Sequence, residues 1–148
     1  MTKYFATTAA AAAIFATAAC AQNPLNPMHG PEADVATAPP AAPYQQVSAL
    51  VPLPDFLPGM GQLFVDPATL PAGPFVAYDH DGRLVSTIYM IPVKDLNPDT
   101  SFDNLAVPGR VVDHTDIYYN AGHPGVPEPH VHIVLWHVSA ADEASVAK

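Results

Sequence analysis

Eighteen prolines spread along 148 residues divide this chain into apolar runs too short for a helix-based core. Each proline removes a backbone donor and crowds the turn before it, so a helix ends at or ahead of it. No segment carries a sustained helical hydrophobic period, whereas several short runs are rich in the β-branched and aromatic residues of strands. The expected body is a single, mainly β domain over residues 46–140.

Within that body, Val47 to Leu53 reads as an edge strand or a turn of helix, halted by Pro52, Pro54 and Pro58. Pro58-Gly59-Met60-Gly61 is a turn, and Gln62 to Val65 is strand-like. Asp66 then caps one helical turn with Pro67 at its first position. The clearest hairpin enters along Phe75 to Tyr78, turns at Asp79-His80-Asp81-Gly82 and leaves along Arg83 to Ile91. His80, at its tip, is expected to be a solvated turn residue. Asn97 to Leu105 is a polar loop or short helix, and Arg110 to Tyr119 and His130 to Val138 are the last two strands, antiparallel partners across a Pro-rich loop.

The two ends have other compositions. Residues 1–21 read as an export signal, with Lys3 as a positive start and an apolar stretch from Ala9 to Ala18, too short to span a bilayer convincingly. Two processing routes compete: Ala19-Cys20-Ala21 is an A-x-A cleavage site, and Thr17-Ala18-Ala19-Cys20 resembles a bacterial lipobox that would leave Cys20 lipidated. Either route sends the mature chain to the periplasm or envelope. Residues 22–45 are Pro- and Ala-rich with few large apolar groups, and are expected to form a disordered tether. Residues 141–148 are expected to be a disordered tail.

Cys20 is the only cysteine, which excludes an intramolecular disulfide, a Cys-based zinc site and a cysteine nucleophile in the body. The formal charge of −9, more negative still once Lys3 is removed, opposes nucleic acid and anionic lipid. Contact with a membrane is therefore expected only through a lipid on Cys20. Phosphate-binding glycine loops and a nucleophile-elbow serine are absent.

Four of the seven histidines lie between His123 and His137. On a strand from His130 to Val138, alternation places His130 and His132 on one face and His137 on the other. Two imidazoles on one face can meet one divalent ion, zinc or copper, and His123 in the preceding loop is the best third ligand. His114, Asp116 and Glu128 stand behind it as further ligands or as groups that orient an imidazole. The alternative is purely structural: the histidines hydrogen-bond to Tyr118, Tyr119, Asp116 or backbone carbonyls. Met60 and Met90 are too isolated in the sequence to suggest a copper site and read as core.

The order of motifs resembles the TTHB210-like family of small exported bacterial proteins. The resemblance runs from Asp55 to Val138 and is carried by Pro58-Gly59-Met60-Gly61, Phe64-Val65-Asp66-Pro67, Met90-Ile91-Pro92 and Gly122-His123-Pro124-Gly125-Val126 leading to Pro129-His130. It implies a calycin-like barrel or strongly curved antiparallel sheet, a possible ring-like homo-oligomer and no assigned activity. The family's final strand usually reads His-x-Asp-x-His on one face; here His130 holds the first position, His132 replaces the Asp and Val134 the second His.

The expected function is binding of a small ligand or metal ion through His123, His130 and His132. Two other classes remain open: a calycin-type enzyme using a His/carboxylate acid-base pair, and a ring-forming structural protein of the envelope.

Overall fold

A computed structural model describes residues 34–108 and 111–148. The expected leader at 1–21 with Cys20, the first part of the expected tether and Arg110 lie outside the described residues. Among the described residues no helix is long and apolar enough to cross a membrane.

Six strands form one antiparallel sheet: β1 (Gln45–Gln46), β2 (Gln62–Val65), β3 (Phe75–Tyr78), β4 (Leu84–Pro92), β5 (His114–Asn120) and β6 (His130–Trp136). Their order across the sheet is β1-β2-β3-β4-β6-β5. Among the described residues the edges β1 and β5 do not pair, so the sheet is open and they form no closed calycin-like barrel. The physical reason lies in β1, which is only two residues long because the chain turns at once into a helical turn, Val47–Leu50. It offers too short a ladder to carry the sheet round to β5.

The sequence logic holds locally. Asp66 accepts a hydrogen bond from the Ala68 amide and Pro67 opens a 3-10 turn, Pro67–Thr69. At the β3–β4 hairpin the buried Asp79 carboxylate accepts from the Asp81 and Arg83 amides and from Arg83 Nε, while Gly82 takes a φ of 73°. Asn97 to Leu105 is a loop without a helix. The chain then crosses to the far edge, held by the Tyr89 hydroxyl donating to the Ala106 carbonyl, and β6 returns between β4 and β5.

One hydrophobic cluster holds the main core, with Leu63, Phe75, Ile88, Val134 and Trp136 packed together with Val47 of the helical turn. A side chain such as Ile88, buried completely, contributes roughly 1.5–3 kcal/mol. A second cluster gathers Phe64, Val76, Tyr78 and Leu84 around Val35. The packed body thus begins earlier than position 46: Val35 is 2% exposed, and the Tyr78 hydroxyl donates to its carbonyl at 2.9 Å. It also ends later than 140, because a 3-10 turn at Asp142–Val146 buries Val146 in the main core. Val35, helped by Ala38 and Tyr44, and Val146 thus anchor stretches whose mean composition suggests tether or tail.

Candidate metal centre

β6 alternates between buried and half-exposed residues along its whole length, and His130 and His132 fall on the buried face at 0% and 1% exposure. Register then selects their neighbours. Opposite His132 stand Met90 on β4 and Tyr118 on β5; opposite His130 stand Pro92 and Asn120. Antiparallel partners share a face, so Tyr118 and Asn120, rather than His114 and Asp116, flank the pair.

The loop between β5 and β6 brings in the third imidazole. Asn120 Oδ1 accepts from the Gly122 amide at 2.8 Å, closing a small turn. Gly122 has a φ of 123°, and a Cβ there would collide with the Pro127 carbonyl, so this turn requires glycine. His123 and Val126 exchange two backbone hydrogen bonds of 3.0 Å, and Val126 packs against the apolar core. His123 is thereby held over the strand, its ring edge-on to His130 and His132 with centroids 4.9 and 5.7 Å away. One nitrogen from each of the three histidines lies within 4.8 Å of the others.

The hydrogen-bond partners decide which nitrogens carry protons. His130 Nδ1 lies 2.7 Å from the Glu128 carbonyl, which only accepts, so this nitrogen donates and Nε2 is bare. His132 Nε2, 2.8 Å from that bare atom, must donate to it. His132 Nδ1 is then an acceptor, and the Tyr118 hydroxyl at 3.1 Å donates to it. His123 Nδ1 donates to the Pro124 carbonyl at 3.0 Å, which leaves its Nε2 bare as well. Both buried imidazoles are satisfied in their neutral forms. Burial, and after it the neighbouring His130 and His123, lower the His132 pKa to about 4. Burial, and after it Asp116, hold the Tyr118 phenol above its ordinary value, so it keeps its proton.

This arrangement is close to a ligand set. Ligating histidines usually donate their other N–H to a carbonyl or carboxylate, which fixes ring and tautomer. His123 and His130 are already fixed in this way by Pro124 and Glu128. Zinc–nitrogen bonds of about 2.0–2.1 Å in tetrahedral geometry place two ligand nitrogens about 3.3 Å apart. His130 and His132 would therefore separate by about 0.5 Å, and His132 would move its proton from Nε2 to Nδ1.

A cavity of about 290 Å³ opens beside this cluster. His123, His132, Tyr118 and Asn120 supply its polar lining; the rest is apolar, including Met60, Leu63 and Met90. The two methionines that read as isolated core residues thus line the histidine cavity, because the β4–β6 register sets Met90 opposite His132. A wider and more open depression, about 600 Å³, adjoins the β3–β4 turn where His80 stacks on Phe56. The buried Asp79 carboxylate there is already engaged by the turn.

The remaining candidate residues lie elsewhere. Glu128 turns its carboxylate to Lys94 and offers the cluster only its carbonyl. His114 binds Asp113 through Nδ1 and Glu143 through Nε2, both at 2.9 Å. Asp116 accepts from the Trp136 indole at 2.9 Å. His114, Asp116 and Glu143 also bring ligand atoms within 4.8 Å of one another, in a group less buried than the three histidines. His137, on the opposite face, meets the Thr87 hydroxyl at 2.8 Å. Asn120 and Glu143 carried no signal in the sequence; pairing β5 with β6 residue by residue would have pointed to Asn120.

Comparison with known proteins follows the same line. Residues 79–119 match the family model TTHB210-like, described as hypothetical protein TTHB210. The crystal structure of hypothetical protein TTHB210 from Thermus thermophilus superposes with a TM-score of 0.56 at 44% identity, over 64% of this chain and 87% of that one. The chain belongs to the TTHB210-like family. Among curated proteins none matches. TTHB210 is itself described as a hypothetical protein, so the chemistry of this TTHB210-like chain rests on its own site.

Proposed function

We propose that this TTHB210-like protein is an exported domain that binds one zinc or copper ion through Nε2 of His123, His130 and His132. The observation that carries the reading is the convergence of one nitrogen from each of the three histidines within 4.8 Å, with His123 and His130 pinned by backbone carbonyls and His130 Nε2 facing His132 Nε2. Three imidazoles with a remaining coordination position are a common catalytic or ligand-binding zinc set. The leader-like residues 1–21 support an envelope location, with lipidation at Cys20 as one of the two processing routes. Mass measurement of the mature N-terminus separates those routes.

Calorimetric titration of the purified protein with zinc and with copper tests the metal reading. One equivalent should bind, raise the unfolding midpoint, and be lost in the His130→Ala plus His132→Ala variant. Absence of stoichiometric binding by the folded wild type would sink it. The acid-base enzyme alternative gains less support, because the imidazole that contacts carboxylates, His114, is not among the residues lining the cavity.

A further inference from the structure

The cavity beside the histidines grades from buried and apolar on one side to exposed and polar on the other, and that gradient defines a class of occupant. On the β4 side Ile88 and Met90 are buried, and the half-buried Met60 joins them in the wall. On the β5 side Tyr118 is exposed and Asn120 half-buried. Met90, His132 and Tyr118 stand opposite one another across β4, β6 and β5, so the two sides lie two strand spacings apart, about 10 Å. One small molecule can reach both, and a volume near 290 Å³ suits it.

Charge and hydrogen bonding narrow the class. Among the described residues no carboxylate, ammonium or guanidinium group lines the cavity. An ion inside it would meet no counter-charge and lose its water, a far larger cost than for a neutral oxygen. Most polar hydrogens at the site are already given away: Tyr118 donates to His132 Nδ1, His132 Nε2 to His130, and His123 Nδ1 to the Pro124 carbonyl. Asn120 differs. Its Oδ1 accepts from the Gly122 amide, whereas its Nδ2 meets no acceptor among the described residues. The donor left over at the polar side is therefore an amide N–H, which calls for an oxygen that needs only to accept.

We propose that the cavity binds an uncharged carbonyl compound with an apolar body, a ketone or ester, its body lying against Met60, Met90 and Ile88 and its oxygen accepting from Asn120 Nδ2. Methionines suit such a wall, because their unbranched thioethers adapt to an irregular apolar shape. The metal reading is not required, since neither Asn120 nor the methionines belong to the proposed ligand set.

The test uses the full chain after chelator treatment, with 2-heptanone as the probe. Acetone lacks the apolar body, and hexanoate and hexylammonium carry a charge at the polar end. The ketone should bind at least about tenfold more tightly than each of the three, and the methyl resonances of Met60 and Met90 should shift as it does. Asn120→Asp keeps an oxygen for the Gly122 amide and replaces the donor by an acceptor, so 2-heptanone should weaken about tenfold. Met60→Gln should reduce the preference for 2-heptanone over acetone, a readout independent of Asn120.

Binding of 2-heptanone no tighter than that of acetone or of either ion overturns the proposal, as does binding that leaves both methionine methyls unmoved. A cavity already filled by another part of the chain gives the first of these results. Equal affinity in wild type and Asn120→Asp overturns the assignment of the oxygen to Asn120. The zinc titration is decided separately: its failure leaves the ketone result standing, and failure of the ketone leaves the metal site standing.

Discussion

His130 Nε2 and His132 Nε2 face each other at 2.8 Å inside the sheet, and one proton is all that fits between them. A second would charge a buried ring beside its neighbour. The folded-state pKa of His132, about 4, lies below the ordinary 6.5 of an unfolded histidine. A depressed value means that the stabilisation is present in full above pH 6.5 and is lost as pH falls through about 4. The loss should be on the order of 3 kcal/mol. Urea unfolding of chelator-treated protein at pH 7, 5.5 and 4 measures it, with His132→Gln as the reference for carboxylate titration. Identical pH slopes in the two proteins would contradict the account.

The His114 contacts have the opposite sign. Its hydrogen bond to Asp113 is the largest influence and raises the pKa, burial opposes it, and the hydrogen bond to Glu143 adds to the rise. The stabilisation is then complete below the unfolded value of 6.5 and disappears as pH rises through the elevated folded value. Because Glu143 belongs to the turn that carries Val146, amide exchange across 142–147 should speed up as pH rises beyond the intrinsic base-catalysed trend. Glu143→Gln should flatten that excess; an unchanged pH profile in the variant would count against the clamp.

Gly122→Ala should separate the third ligand from the sheet. The backbone conformation at Gly122 is one that alanine rarely adopts, and its methyl group would strike the Pro127 carbonyl. His123 would shift while β5 and β6 retain their ladder. Zinc affinity is expected to fall by about tenfold or more, as for losses of groups that orient metal ligands. Competition with a chromophoric chelator reads the affinity, and circular dichroism should report an unchanged sheet.

Ile88→Ala should cost about 2–4 kcal/mol, because the side chain is fully buried and part of the space it leaves cannot collapse. Ile88 also lines the cavity and is no ligand, so zinc affinity at saturating folded protein should remain within about threefold. Chemical denaturation and zinc titration of the same preparation check both halves.

Strand positions were legible wherever local chemistry is decisive. Asp66-Pro67 starts a turn, Asp81-Gly82 closes a hairpin, and alternation alone puts His130 and His132 on one face, which the fold buries. Pairing was less legible, because β6 inserts between β4 and β5, and only that register brings Met90 and Tyr118 to His132. His114 and Asp116 were drawn to the site by residue type, yet they sit two and one alternations down the strand from Tyr118, against Trp136 and Val134. Val35 and Val146 were lost in segments whose composition speaks against order, yet Val35 packs with Ala38 and Tyr44 on one core cluster and Val146 enters the other.

Tyr118, His123, His130 and His132 all fall within one hairpin, while the apolar wall of the cavity is gathered from segments that precede β5, including Leu53, Leu63, Phe75 and Ile88. The two halves can therefore diverge at different rates. A single-residue deletion in the loop from Ala121 to Pro129 would shift His123 relative to the strand histidines, whereas an exchange at Leu63 or Phe75 would alter only the shape of the space beside them. A chain that keeps the imidazole cluster can thus accommodate a different molecule next to it.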